Sequence, residues 1–194
     1  MRKLKVWFVL LLAAALSVLG IAEISTKPAA PVPPFTIGKV EPQVVLYTLH
    51  RGSYDKTGAA VGKLFALAGQ KSITPRGPLS YAYLNNPQRV SSEHWLTEIR
   101  IPVGKEALQL SGTLGDFTDV KTLPAAEVAI AIKPQGQADP GPIYDSLYTW
   151  IFKQGYMPDD GAYEVFLSEG PMTDYSQMKT KIMVPIVRLS RHEK

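Results

Sequence analysis

Two stretches of the chain carry the same amphipathic pattern. In each, four apolar residues recur at positions i, i+3, i+4 and i+7, a spacing that places them on one face of an α-helix. The two sets lie 83 residues apart, position for position. The pattern therefore predicts two helices that bury equivalent faces: Val61, Leu64, Phe65 and Ala68 in the first, and Tyr144, Leu147, Tyr148 and Ile151 in the second.

The same offset relates three pairs of strand-like segments, which are short, apolar and partly β-branched or aromatic. They are 44–49 with 127–132, 81–84 with 164–167, and 97–103 (TEIRIPV) with 180–186 (TKIMVPI). Each copy is thus predicted to form strand, helix, strand and strand. Pro102 and Pro185 are expected where the last strand of each copy ends, because proline cannot donate to a ladder.

One amphipathic helix on about three strands buries little apolar surface, whereas two copies related by a pseudo-twofold axis share one core. The crease between two such copies is a natural pocket. We therefore expect an α+β fold of duplicated βαββ half-domains, with antiparallel sheets, two main helices and a central ligand crease. The half-repeats are predicted at about 36–104 and 117–188.

The N-terminus carries a targeting pattern. Three basic residues, Arg2, Lys3 and Lys5, precede an unbroken apolar run over residues 6–22. The run is at the short end of a membrane span and slightly exceeds a secretory signal core. Residues 1–23 are therefore predicted to be a signal-anchor or a signal peptide, and we favour an uncleaved anchor that contacts the membrane through residues 6–22.

The positive flank of this leader places the rest of the chain across the membrane in either case. The protein is expected to be membrane-anchored with its domain on the extracytoplasmic side, or secreted or periplasmic if the leader is cleaved. Residues 24–34 are rich in proline and are predicted to be a stiff spacer. The folded domain is expected over residues 35–194.

Composition excludes several kinds of chemistry. The chain has no cysteine, which rules out disulfides, thiolate metal sites and thiol catalysis. Half of the formal net charge of +4 belongs to the leader, so the domain is too weakly basic to predict a nucleic-acid partner. His50, His94 and His192 show no ligand spacing, so neither a metal site nor a cofactor is predicted.

The order and spacing of several short motifs resemble those of the GyrI-like family, also called the AraC effector-binding domain. The resemblance covers about residues 36–188. The motifs are HRGSY (50–54), YLNNP (83–87) and TEIRIPV (97–103) in the first half, and LPAAEVA (123–129), YEVFL (163–167) and VPI (184–186) in the second. The second copy departs from the first at 134–137, where PQGQ replaces RGSY.

This resemblance implies a domain that binds small molecules, often cationic and aromatic, in the crease between its halves. Family members include sensor domains of transcription regulators and stand-alone proteins, and a few hydrolyse strained DNA-alkylating compounds. A eukaryotic ER-phagy receptor carries such a domain behind an N-terminal anchor. No DNA-binding segment is evident in this chain, which argues against the regulator role in its usual form.

Glu164 is the strongest candidate for a binding residue, because it matches the buried pocket glutamate that the resemblance implies. Its repeat partner is Tyr81. A carboxylate that has lost its water needs a cation or hydrogen-bond donors. The alternative is that Glu164 lies at a strand edge and points to solvent.

The other candidate binding residues are Tyr81, Tyr83, Trp150 and Glu98. Tyr81 and Tyr83 share one strand face and are predicted either to line the binding site or to pack in the core. Trp150 lies on a helix, one step off its apolar face, and has the same two interpretations. Lys181 replaces Glu98 in the other copy. By default Glu98 is predicted to form a surface ion pair, and the alternative is that it is a second acid in the pocket.

Three functions follow, in order of preference. The first is a non-catalytic binding module for a cationic or amphipathic small molecule. The second is a membrane-anchored adaptor that docks a protein partner. The third is a hydrolase of strained or alkylating molecules in which Glu164 acts as the catalytic residue, which requires a raised pKa and a substrate within reach. Whether the protein is an enzyme stays open, and non-catalytic binding is preferred.

Overall fold

The computed structural model of the protein describes residues 34–115, 117–167 and 178–189. The predicted leader and all but the last residue of the predicted spacer lie outside these ranges. Within them, no helix combines the length and the apolar character needed to cross a membrane.

The described residues form nine strands and two α-helices. They are β1 (Thr36–Val40), β2 (Gln43–Arg51), α1 (Thr57–Gln70), β3 (Ser80–Tyr83), β4 (Leu96–Pro102), β5 (Thr118–Leu123), β6 (Ala126–Lys133), α2 (Gly141–Lys153), β7 (Tyr156–Pro158), β8 (Tyr163–Phe166) and β9 (Thr180–Arg188). All strand pairs are antiparallel. The predicted α+β class is confirmed.

The sheet has the strand order β1-β6-β9-β8-β3-β4-β2-β5, and β7 pairs with β9 beside this path. Exchanging each strand for its repeat equivalent reverses this order and leaves it otherwise unchanged. The registers obey the same offset: Val45 faces Pro102 in one half, and Val128 faces Pro185 in the other. The predicted duplication about a pseudo-twofold axis is therefore confirmed at the level of individual residue pairs.

Each half also has a leading strand that the repeat pattern did not predict. β1 precedes β2 in the chain but pairs with β6 of the second half, and β5 precedes β6 but pairs with β2 of the first half. The halves thus exchange their first strands. Each half contains a ββαββ unit whose outermost strand is supplied by the other half, and the second half has β7 in addition, between α2 and β8.

Both helices pack against the same side of the sheet, and their predicted faces are confirmed except at Phe65 of α1, which is 41% exposed. Val61, Leu64 and Ala68 of α1 join one apolar cluster, and Leu147 and Ile151 of α2 join the other. Leu64 and Leu147 are repeat equivalents, and both are fully buried. Burial of a leucine side chain contributes about 1.5–3 kcal/mol, so these faces account for much of the attachment of each helix.

The two repeat-equivalent prolines behave differently. Pro102 is the last residue of β4, as predicted. The same prediction for Pro185 was wrong, because β9 continues to Arg188. At Pro185 the strand changes its neighbours: pairing with β6 ends at this residue, and pairing with β7 begins at Ile186. Pro185, which has no backbone N–H, therefore lies at the boundary between the hydrogen-bond ladder with β6 and the ladder with β7.

Candidate functional site

The pseudo-twofold axis passes between two candidate residues. β3 and β8 meet at the centre of the sheet, and Tyr81 lies directly opposite Glu164, its own repeat equivalent. Residues directly opposite each other in an antiparallel pair project from the same face. Tyr81 belongs to the cluster packed on α1, so both side chains lie on the face that carries the helices.

Glu164 is a buried acid held by hydrogen-bond donors. Only 5% of its surface is exposed, and the Tyr144 hydroxyl of α2 donates to Oε1 at 2.9 Å. Burial raises the pKa of the carboxyl, and this effect is only partly offset by the Tyr144 hydrogen bond, by the positive charge of Lys133 and by the nearby Thr180 and Tyr83 hydroxyls. Thr180 Oγ does not reach full hydrogen-bond geometry with any partner.

The first half contributes aromatic rings to this neighbourhood. Tyr54 and Tyr83 have ring centroids 5.1 Å apart, and Tyr54 stacks on Trp95 at 4.4 Å. All three residues are partly exposed. Burial raises the pKa of Tyr54 and Tyr83, and the negative charge of Glu164 adds to this effect in both.

The second half contributes two more rings, both from α2. Tyr144 and Tyr148 stack with centroids 6.4 Å apart and are also partly exposed. Burial and the Glu164 charge together raise the pKa of Tyr144 well above its usual range. Rings from both halves therefore lie near a carboxylate that is itself almost completely buried: Tyr144 binds it, Tyr83 and Tyr54 lie close to it, and Trp95 and Tyr148 stack on these tyrosines. We call Glu164 with these five aromatic residues, Tyr54, Tyr83, Trp95, Tyr144 and Tyr148, the Glu164 site.

The chemistry of this site suits a positive charge. A carboxylate stripped of water is stabilised by a cation nearby, and aromatic faces attract cations by about 0.5–2 kcal/mol each. The tyrosine hydroxyls can hold the empty carboxylate, because each is a donor as well as an acceptor. The arrangement is consistent with an acid that accepts a ligand in place of water.

Of the two predicted wall tyrosines, Tyr83 joins the site and Tyr81 packs in the core. The Tyr81 hydroxyl donates to Thr57 Oγ1 of α1 at 3.1 Å, and its ring meets Phe166 edge-on at 4.8 Å. Thr57 in turn donates to the Tyr54 carbonyl oxygen at 2.7 Å. Tyr81 thereby connects the centre of the sheet to the segment that positions Tyr54.

Trp150 is not brought to the Glu164 site. With 3.6 residues per turn, Tyr144 and Trp150 fall on opposite flanks of Leu147. Trp150 packs on Phe35 with centroids 5.7 Å apart. The two rings line a separate surface pocket of about 420 Å³ on the outer flank of α2, together with Asp145, Ser146, Thr149 and Lys153.

Glu98 lies on the opposite face of the sheet from Glu164, because it faces Ala82, the neighbour of Tyr81. It is 4% exposed and lies 2.6 Å from Arg100 Nε and 2.8 Å from Lys121 Nζ. The structure thus has a buried ion-pair cluster where a surface pair was the default expectation. Glu98 is separate from the Glu164 site.

Several residues of the neighbourhood escaped the sequence analysis. Tyr144 and Tyr148 were assigned only to an apolar helix face, and Trp95 was not considered. Lys133 had a detectable signal: it alternates with Ala129 and Ala131 on the buried face of β6, where a lysine is out of place.

Comparison of the sequence with protein-family models and with curated proteins finds no match. Solved structures do match. The C-terminal domain of EcmrR superimposes with a TM-score of 0.62 at 14% identity, over 82% of this chain and 100% of that domain. In the DNA complex of EcmrR, this chain spans 59% of the matched chain.

Two further matches are a hydrolase from Listeria innocua and SAV2435. The hydrolase has a TM-score of 0.60 at 14% identity, covering 82% of this chain and 94% of that one. SAV2435, in a structure bound to tetraphenylphosphonium, has a TM-score of 0.46 at 10% identity, over 82% and 98% of the two chains. Identities this low establish the fold alone. In its described residues, the chain has the α+β fold of the GyrI-like effector-binding domains, with a curled antiparallel sheet and two main helices.

Proposed function

We propose that the domain binds a small cationic or amphipathic molecule at the Glu164 site and acts as a non-catalytic binding module. One observation carries this proposal: a carboxylate with a raised pKa lies almost completely buried beside partly exposed tyrosines from both halves of the domain. A buried acid of this kind is costly for a fold that makes no use of it.

A cationic ligand offsets the cost that keeps the pKa of Glu164 high. Its charge favours the ionised carboxylate, while its apolar groups pack on rings that already lie at the surface. The Tyr144 hydroxyl binds only one carboxylate oxygen, Oε1, at 2.9 Å. Because a carboxylate accepts several hydrogen bonds, this donor leaves acceptor capacity for a ligand.

Two probe ions of the same shape and opposite charge test the proposal. Tetraphenylphosphonium and tetraphenylborate differ in the sign of their charge, so their affinity ratio isolates electrostatics from apolar contact. We expect the full-length protein to bind the phosphonium more tightly. Glu164→Gln should weaken phosphonium binding by about tenfold or more, as expected for the loss of one nearby charge at low effective dielectric.

Glu106→Gln is the matched control, because it removes an exposed carboxylate whose partner is Arg76, also exposed. It should leave both affinities unchanged, and circular dichroism should show that both variants fold. Equal phosphonium affinity in the wild type and Glu164→Gln would contradict a carboxylate-dependent site. Failure of both probes to bind the wild type would contradict the binding function itself.

Hydrolysis is a second candidate, and the raised pKa of Glu164 favours it. A general base is most effective when its pKa lies near the working pH. If the Glu164 site is catalytic, the protein should hydrolyse an epoxide or another strained alkylating substrate. In that case Glu164→Gln should reduce kcat with little effect on KM, whereas a pure binder shows no turnover in either form.

We also propose that the domain lies on the extracytoplasmic side of a membrane. The basis is the basic flank and apolar run of residues 1–23, as in the sequence analysis. Protease added outside intact cells should then remove the domain. Its survival there, with cleavage only after lysis, would contradict this topology.

A further inference from the structure

Lys133 is an unusual neighbour for a cation-binding carboxylate. It is the last residue of β6 and only 2% exposed. Lysine is almost never fully buried unless it is paired, so its position needs a partner and a role. Its repeat equivalent is His50, which is partly buried.

The ammonium group is held by backbone carbonyls. Nζ donates to the Met178 oxygen at 2.7 Å and to the Gln137 oxygen at 3.0 Å. Carbonyl oxygens only accept hydrogen bonds, so both contacts suit the ammonium with its three donors. The side chain thereby connects the loop after β6 to the residues just before β9.

Strand register places this charge beside Glu164. β9 lies between β6 and β8, and Thr180 of β9 is directly opposite Lys133. The next residue on the same face of β9, Ile182, is directly opposite Glu164. Lys133 and Glu164 therefore share the helix-bearing face on either side of β9. Two strand spacings and an offset of two residues along β9 separate their backbones, about 12 Å in all.

Among the described residues that act on Glu164 from the packed elements, Lys133 is the one cation. Tyr144 comes from α2 and Tyr83 from β3, and both are neutral at physiological pH. Thr180 comes from β9 and Lys133 from β6. The positive charge of Lys133 lowers the pKa of the carboxyl, in keeping with their positions on the same face of the sheet.

We propose that Lys133 is the residue that sets the charge selectivity of the Glu164 site. The inference rests on the proposed function. Lys133 supplies a resident positive charge that balances Glu164, so the site discriminates only moderately between cations and other amphipathic molecules. Removal of that charge turns the site into a strong cation binder.

The test compares the two probe ions across variants of the full-length protein. Lys133→Gln removes the charge and keeps a hydrogen-bond donor. It should raise tetraphenylphosphonium affinity about tenfold and lower tetraphenylborate affinity, as expected for unit charges about 12 Å apart at an effective dielectric of about 20. Lys133→Arg keeps the charge and should keep the affinity ratio of the wild type.

A second measurement needs no ligand and covers the case in which Lys133→Gln folds poorly. The carboxyl carbon of Glu164, followed by NMR in the wild type and in Lys133→Met, should titrate at higher pH in the variant. Met fills the space of the lysine stem without its charge. An unchanged titration would show that Lys133 does not act on the carboxylate and would overturn the inference.

The outcomes separate this inference from the function on which it rests. If Glu164→Gln weakens phosphonium binding while Lys133→Gln leaves the affinity ratio unchanged, the binding function stands and the role of Lys133 is wrong. If neither ion binds any form of the protein, the binding function fails and the inference fails with it.

Discussion

The two halves of the domain share one backbone plan and differ in the side chains that they bring to the axis. The first half supplies aromatic rings, Tyr54, Tyr83 and Trp95. The second supplies both charges, Glu164 and Lys133. Every strand register along the main path of the sheet is repeated, yet Tyr81 stands where the second half has the carboxylate. The shared apolar pattern therefore determines the common fold, while a few polar and aromatic positions make the contributions of the two halves to the site different.

One equivalent pair shows the same task done with different chemistry. His50 Nε2 lies 3.2 Å from the Ser53 carbonyl oxygen, and Lys133 Nζ lies 3.0 Å from the Gln137 carbonyl oxygen. Each side chain ties the end of a strand to the loop that follows it. Only the second places a buried lysine on the face of the sheet that carries the helices.

The largest effect is expected for Tyr81→Glu, which places the same residue on both sides of the pseudo-twofold axis. The new carboxylate would lie directly opposite Glu164 and lose its water, and the Thr57 hydrogen bond and the Phe166 contact would be lost. We expect the free energy of unfolding to fall by about 3 kcal/mol or more at neutral pH. Urea denaturation measures this loss.

Tyr81→Phe is the control for that variant, since it loses only the hydroxyl and should cost about 1 kcal/mol. The excess loss in Tyr81→Glu should shrink in acid, where the carboxyls are protonated. An equal loss in both variants would mean that the two positions do not face each other.

Truncation of the equivalent leucines tests whether the two apolar cores contribute equally to stability. Leu64→Ala and Leu147→Ala each leave a cavity under one helix, and each should cost about 2–5 kcal/mol. Because both side chains are fully buried at equivalent positions, the two losses should be similar. A loss in one half less than half that in the other, again by urea denaturation, would show that the cores are not equivalent.

The pH dependence of stability tests the charged half. Glu164 has a pKa above its ordinary value of 4.5 in the folded state, so the folded protein holds this proton more tightly than the unfolded chain. Its contribution to stability is therefore fully present below the ordinary pKa and is lost as pH rises through the folded pKa.

Glu164→Gln removes this titration. At neutral pH the variant should be more stable than the wild type by on the order of 1 kcal/mol, and the difference should vanish near about pH 4. Urea denaturation at both pH values checks the sign. A wild type that gains stability relative to the variant with rising pH would contradict a raised pKa.

The smallest expected effect concerns Tyr144, the donor from α2. Tyr144→Phe removes the hydrogen bond to Oε1 and should cost about 1 kcal/mol while raising the pKa of Glu164 further. Tyr148→Phe is the matched control on the same helix, because no described hydrogen bond joins its hydroxyl to the carboxylate. NMR titration of the Glu164 carboxyl should separate the two variants, and identical curves would rule out Tyr144 as its main donor.

The sequence predicted the strand, helix, strand and strand that the two halves share, because their apolar periodicity is local, but it did not predict β1, β5 or β7. The helix faces and the offset of 83 residues were visible without any knowledge of pairing. The exchange of β1 and β5 was not predictable in this way, since a short segment such as TIGKV carries no signal for which distant strand it joins.

The site was predictable only in part for a related reason. Glu164 was favoured only through the family resemblance, and Tyr83 through its place in a short aromatic strand. Trp150 was proposed without knowing which flank of α2 faces the sheet centre. The opposite face of Glu98 depends on its register with Ala82, which no local pattern reveals. Lys133 was visible in the alternation of β6 but was not weighed.

The exchange of first strands has a consequence for what half of this chain would be. A single ββαββ unit on its own lacks its outer strand, and it would complete its sheet only by trading strands with a second identical molecule. Such a homodimer would place two copies of the same residue on its symmetry axis, either two tyrosines or two carboxylates. Joining two copies in one polypeptide replaces association between molecules by a permanent arrangement, and it frees the two axial positions to differ. Only in the joined form does a single acid occupy the centre, opposite a tyrosine.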